Sequence, residues 1–218
     1  RSEHLNTLIR TLPETESSRL LDMMNVKYLV SIPSIQSERY KLVHANIPLP
    51  QQKEELDKFE KSNAIKVYEN TKVLPRAFLV PNCKIIKTGL EYKKEFEGKL
   101  FDPKSMVLLE KEVEGFDCSQ KRTIDNKDLV KIDSYKSNSV DLTIHSNSNQ
   151  FLFMSDSFYP GWKAYIDGKE AEILRGNYLF RTIVIEKGEH EVRFEYDPLS
   201  FKMGLAISIA TILICSLY

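Results

Sequence analysis

The sequence predicts an α+β chain: a small mixed part, then an antiparallel β-sandwich of Ig or jelly-roll type, then the start of a membrane helix. Three observations carry this. Residues 130–196 alternate strand and turn signals at the spacing of a sandwich. The first half mixes helical and strand patterns. From Met203 onward the chain reads MGLAISIATILICSLY without a charge. About 20 apolar residues span a bilayer and about 10–14 suggest a core helix. The run falls between the two, and we read it as a truncated transmembrane helix over residues 200–218. The domain limits expected from sequence are 1–125, 126–199 and 200–218.

In the mixed part, TESSRLLDMM (15–24) places Ser/Thr capping candidates before paired apolar residues at helical spacing. NVKYLVS (25–31) is a strand of β-formers that Pro33 ends. Two prolines make 47–50 a loop. Residues 52–61 are charged with Leu56 and Phe59 on one side, the pattern of a surface helix. Strands follow at 65–68 and 77–80 across the Leu74-Pro75 turn, then a helix at 90–96 and a buried strand at 106–109.

In the sandwich part, VDLTI (140–144) alternates as a half-buried strand does. Residues 150–154 open on Gln150 and continue as an unbroken apolar run, suited to a strand covered on both faces. Trp162, Ala164 and Ile166 share one face, and Asp167-Gly168 supplies the two positive-φ positions of a type I′ hairpin. Ala171 and Ile173 return along the inner face. A strand at 178–185 precedes the Lys187-Gly188 turn. Val192, Phe194 and Tyr196 then point in while Glu191, Arg193 and Glu195 point out.

Balanced charge, 31 basic against 31 acidic residues, argues against a nucleic-acid surface, which would need a basic excess. RSEHLNTLIR at the start lacks the apolar core of a signal peptide, as a cytoplasmic protein or an internal piece of a longer chain would, and a start without Met favours the second expectation. No cofactor motif is visible, and the four histidines lack metal-ligand spacing. Cys83, Cys118 and Cys215 form no CxxC pair; Cys83 and Cys118 could pair in an oxidising compartment.

The block from Ser155 goes beyond a generic sandwich. Tyr159–Lys169 reads YPGWKAYIDGK, Arg175–Arg181 reads RGNYLFR, and Gly188–Pro198 reads GEHEVRFEYDP before the apolar run. This order resembles the C-terminal region of the YfhO-type bacterial membrane proteins. LLDMMNVKYLV (20–30) and VYENTKVLPRAFLV (67–80) match the same style. The resemblance implies a polytopic membrane protein related to glycosyltransferases that use a polyprenyl-phosphate sugar. It also implies a plasma-membrane location, with this part on the extracytoplasmic face. The catalytic carboxylates of that class lie outside this chain, so no catalytic residue is assigned.

Five residues are candidates for contact with glycan or lipid phosphate: Tyr159, Trp162, Arg175, Asn177 and Arg181. Tyr159 and Trp162 offer aromatic faces for a sugar ring; equally, Trp162 plugs the core through its large apolar area. Arg175 and Arg181 offer outward guanidinium forks to phosphate; equally, they pair with Glu172 or Glu195 on a solvated face. Asn177 satisfies a turn. Partners are thus the membrane, through the chain's own transmembrane segments, and a cell-envelope glycan or polyprenyl-phosphate sugar. The competing reading is a structural module that packs on the membrane part of its own chain and binds no sugar.

Overall fold

The computed structural model describes residues 14–98 and 100–216. The chain folds as two compact units that meet in sequence at Arg76/Ala77. The first contains helix α1 (Glu14–Met23), strands β1 (Tyr28–Ser31) and β2 (Tyr40–Ala45), helix α2 (Lys53–Glu60) and strand β3 (Lys66–Asn70). The strands form an antiparallel sheet in the order β1-β3-β2. The capping side chains expected at 15–18 lie outside the described side chains. Leu20 and Met23 are buried because they fall on one face of α1, and Phe59 is buried while Leu56 stays exposed. Asp22 ties this unit together by accepting from Arg39 and from Asn70, each at 2.7 Å.

The second unit begins with β4 (Ala77–Val80), β5 (Asn82–Ile85), α3 (Gly89–Glu97) and β6 (Met106–Leu109). It continues through β7 (Leu129–Tyr135), β8 (Ser139–Ser146), β9 (Gln150–Ser157), β10 (Trp162–Ile166) and β11 (Lys169–Ala171). It closes with β12 (Leu174–Gly176), β13 (Phe180–Ile185), β14 (Gly188–Tyr196) and helix α4 (Leu199–Ser216). One sheet runs β11-β10-β14-β8-β7 and the other β4-β9-β13-β12-β6-β5. The boundary expected near residue 125 therefore moves. β4 pairs with β9 from Ala77↔Met154 to Val80↔Phe151, and β6 bridges to β12 at Leu109↔Gly176, so the sandwich takes in strands from Ala77 onward.

The core lies between the two sheets. Val140, Leu142, Ile144, Ala164, Val192 and Phe194 from one sheet meet Ala77, Leu152, Met154, Ile183 and Ile185 from the other. β9 is covered on both faces, as its unbroken apolar run requires. Leu152 and Met154 enter this core, whereas Phe151 packs on Phe116 at 4.3 Å and Phe153 packs between Phe78 and Phe180. The Asp167-Gly168 turn has φ of 51° and 77°, the two positive values expected.

Cys83 on β5 and Cys118 are joined by a disulfide, with Cα atoms 4.9 Å apart. α4 is exposed along its length, with a mean hydropathy of 1.8.

Candidate functional site

Chain connectivity gathers the motif residues at one end of the sandwich. β9 ends at Ser157, β10 starts at Trp162, and β14 delivers Tyr196 opposite Trp162 before Asp197-Pro198 leads into α4. The 158–161 connection must therefore turn beside the first turn of α4. Gly161 makes this possible. Its φ is +101°, and a Cβ there would lie 2.9 Å from the Tyr196 ring and 3.0–3.2 Å from Pro198. A side chain would meet both a ring and backbone.

A cleft of about 220 Å³ opens here, lined by Phe158, Tyr159, Trp162, Lys163, Ile173 and Arg181 among others. Tyr159 is 62% exposed on its rim. Trp162 is half-buried and packs on the sandwich core, so it both fills the core edge and lines the cleft. Its ring centroid lies 5.4 Å from that of Tyr196, and Tyr159 lies 6.5 Å from the same ring.

Arg181 corrects the expectation of an outward fork. It is 2% exposed. It donates to Asp156 Oδ2 at 2.8 Å, and its guanidinium carbon lies 3.9 Å from the Trp162 ring centroid and 5.3 Å from that of Phe194. Nε and Nη1 have no hydrogen-bond acceptor, so the π faces take the place of polar partners there. Burial pulls the guanidinium below its ordinary pKa, while Asp156 and Tyr135 pull it back up. The Tyr135 hydroxyl donates to both Asp156 oxygens, each at 3.0 Å. Neither Glu172 nor Glu195 is the partner. Asp156, on β9, carries no local signal that marks it as the counter-ion of a strand 25 residues away.

Arg175 stands directly opposite Arg181 in the β12–β13 register, so the two share a sheet face as their parity implied. It is half-buried, 3.6 Å from Glu110, and its guanidinium lies 4.7 Å from the Phe158 ring centroid. It lines a neighbouring cleft of about 390 Å³ that shares Phe158, Glu172 and Ile173 with the first. Asn177 is fully buried and works as a strand surrogate. Its Oδ1 accepts from Leu108 N and its backbone N–H donates to Leu108 O, both at 2.8 Å. Its φ of 45° fits the left-handed tolerance of Asn. Tyr159, Trp162 and Arg181 thus come together; Arg175 borders them and Asn177 supports a neighbouring strand.

A concavity of about 560 Å³ on the outer face of the β10-β14-β8 sheet is of another kind. Asp133, Asp141, Thr143, Arg193 and Glu195 line it, and cross-strand pairs such as Arg193–Asp141 at 3.5 Å occupy its charges. Among the described residues no cluster of His, Cys, Asp or Glu could hold a metal ion.

At the junction, Asp197 accepts from Lys163 at 3.0 Å and from Lys202 at 2.7 Å. The hydrogen bonds from Lys202 and Lys163 hold its carboxyl below the usual carboxylate range. One carboxylate thereby ties β10 to the first turn of the apolar helix.

The last strand of the β-sandwich passes into an exposed helix that is long and apolar enough to cross a membrane. Residues 108–208 match the family model described as "Bacterial membrane protein YfhO". It is 25% identical over 85 residues to the "Uncharacterized protein YfhO" of Bacillus subtilis (strain 168). That alignment covers 39% of this chain and 10% of the relative's length. No solved structure matches.

Proposed function

We propose that the second unit is the extracytoplasmic C-terminal domain of a polytopic membrane protein and that it recognises a glycan at the Tyr159–Trp162 cleft without catalysing. The observation that carries this reading is the exposed Tyr159 beside the half-buried Trp162 on a cleft of about 220 Å³. An aromatic rim against a small cleft suits the apolar face of a pyranose ring, and the Arg181 guanidinium over the Trp162 ring supports that ring from the core side. The cleft balances Lys163 and Arg181 against Glu170 and Glu172, which fits a neutral sugar better than a naked phosphate. The Cys83–Cys118 disulfide supports an oxidising compartment and hence the outer face. By resemblance, the parent chain would use a polyprenyl-phosphate sugar, with its chemistry elsewhere.

Trp162 is the only Trp, so its fluorescence reports on the cleft directly. Titration of the reconstituted chain with cell-wall glycans is expected to give saturable changes, and Tyr159→Ala to weaken binding about tenfold. Absence of any response across such glycans would sink the reading. A membrane-impermeant thiol reagent directed at an exposed Lys187→Cys in intact cells tests the outer location.

A structural module packing on the membrane part of its own chain is the second reading. The burial of Arg181 and the Asp197 link to α4 favour it. In that case Tyr159→Ala changes stability or assembly of the parent chain and leaves no glycan response to lose.

A further inference from the structure

We infer that the turn-bearing end of the sandwich around Tyr159 is a membrane-contacting surface seated in the lipid headgroup layer. This goes beyond the glycan reading and stands whether or not the cleft holds a sugar. The helix sets the level. α4 is apolar from Met203 onward, is unburied along its length, and keeps its last charge at Lys202. Lys202 therefore marks the edge of the hydrocarbon. From Leu199 to Lys202 the helix rises about 4.5 Å. A headgroup layer is about 5–7 Å deep. The junction at Pro198 thus lies within that layer or at its outer edge.

Tyr159, Gly161 and Trp162 are fixed to this level. Gly161 packs on Pro198 closely enough to exclude a Cβ, and Trp162 pairs with Tyr196 two residues before Pro198. The Lys163–Asp197–Lys202 bridge holds strand and helix together from the polar side. The surface presented has the composition of an interfacial belt. Tyr159 and Phe201 are exposed at 62% and 69%, and Lys163 and Lys202 meet at Asp197 in the same junction. Amphipathic aromatics concentrate at that depth, where one end of the ring is apolar and the other wet, and lysines reach lipid phosphates there. The opposite end of the sandwich, at Asn147–Asn149, Asp167-Gly168 and Lys187, carries polar turns and, among the described residues, no exposed aromatic side chain.

The test uses the whole chain in nanodiscs of phosphatidylcholine and phosphatidylglycerol. Lipids carrying a nitroxide on the headgroup or at the chain centre are compared as quenchers of the native Trp162. Headgroup nitroxide is expected to remove more Trp162 fluorescence than chain-centre nitroxide. With W162F as background, Ile209→Trp is expected to show the reverse order, and Lys187→Trp to be quenched by neither. Tyr159→Asp is expected to reduce headgroup quenching of Trp162 while leaving the Ile209→Trp reporter unchanged. If Ile209→Trp reports insertion while Trp162 ignores the headgroup nitroxide, the inference is overturned. Equal quenching of Trp162 and Lys187→Trp overturns it as well. The native-chain measurement needs no substitution, so a misfolded variant cannot shield the idea.

Discussion

Arg181 lies over the Trp162 ring, its guanidinium carbon 3.9 Å from the ring centroid, and this contact joins the candidate site to the sandwich core. The cation is buried, faces Asp156 and touches Phe194 on the core side. Arg181 is therefore a positioning residue for the aromatic cleft.

Removal of that cation exposes what it offsets. Arg181→Met keeps the volume but leaves Asp156 without its opposing charge. Loss of one partner of a buried pair costs about 3–5 kcal/mol; with Asp156 at the partly exposed end, the low end of that range is expected in denaturant unfolding. Arg181→Lys keeps the charge and loses the guanidinium contact over the ring, so a smaller loss with a red-shifted Trp162 emission is expected. Equal stability of the Met variant and the parent chain would show that the pair does not hold the core.

The same strands show how much of the fold was legible. The β10–β11 hairpin could be read because Asp-Gly dictates its turn and alternation dictates its faces; β9 could be read because only a doubly covered strand tolerates five successive buried residues. β2 was not read, since YKLVHA buries only Tyr40 and carries no alternation of polarity. β5 was not read because NCKI acquires its strand character from parallel pairing with β6, some twenty residues on. The domain boundary failed for the same reason: β4 and β6 belong to the sandwich by long-range pairing, which local periodicity does not encode. Arg181 resembled a solvated cation because its counter-ion and its aromatic cover lie on other strands. Tyr159 and Trp162 were legible as a pair because the turn between them holds them close together.

Asn177 allows a sharper separation of causes. Its side chain satisfies Leu108 N, and its backbone sits at positive φ. Asn177→Ala is expected to lose about 2–4 kcal/mol, from an unsatisfied buried amide together with left-handed strain. Asn177→Gly removes the strain alone, and Asn177→Asp keeps both the acceptor and the left-handed tolerance. Unfolding should therefore rank both above Ala; an Ala variant as stable as either would contradict the double role.

The disulfide closes a loop of sequence separation 35. Chain entropy places its contribution at about 2–4 kcal/mol. Cys83→Ala/Cys118→Ala is expected to lower the unfolding midpoint accordingly and to make the result insensitive to reductant. A midpoint of the unsubstituted chain that ignores reductant would show that the bridge is not formed in solution.

Asp167 gives the sandwich an acid-sensitive end. Its carboxylate accepts from His190 Nδ1 and from Glu191 N, each at 2.8 Å, and these bonds hold it below its ordinary value of 3.8. A carboxyl depressed in the folded state contributes stability above its unfolded pKa and loses it as pH falls through the folded one. The hairpin is therefore expected to loosen below about pH 4. Amide exchange at Glu191 should rise there in the parent chain, whereas Asp167→Asn should show fast exchange already at neutral pH and little further change on acidification. An acid response in the Asn variant equal to the parent's would assign the effect to another group.

Gly161 tests whether the sandwich and α4 act as one lever. A methyl at this position meets the Tyr196 ring at 2.9 Å and the Pro198 backbone at 3.2 Å, and φ of +101° strains any L side chain. Strain and clash together predict a loss of about 2–3 kcal/mol for Gly161→Ala. The location of the damage distinguishes this site from an ordinary turn. Because the clash falls on Pro198, the β14–α4 junction must shift, and the Lys163–Asp197–Lys202 bridge must lengthen with it. Asp197→Asn should then destabilise the parent chain and have little further effect on the Gly161→Ala background, since the bridge it removes is already broken. Additive losses in that double-mutant cycle would mean that the turn and the junction are independent. The far-end equivalent, Gly168→Ala, has a positive φ but nothing within 4 Å, so it should cost backbone strain alone and leave the Asp197 substitution fully expressed.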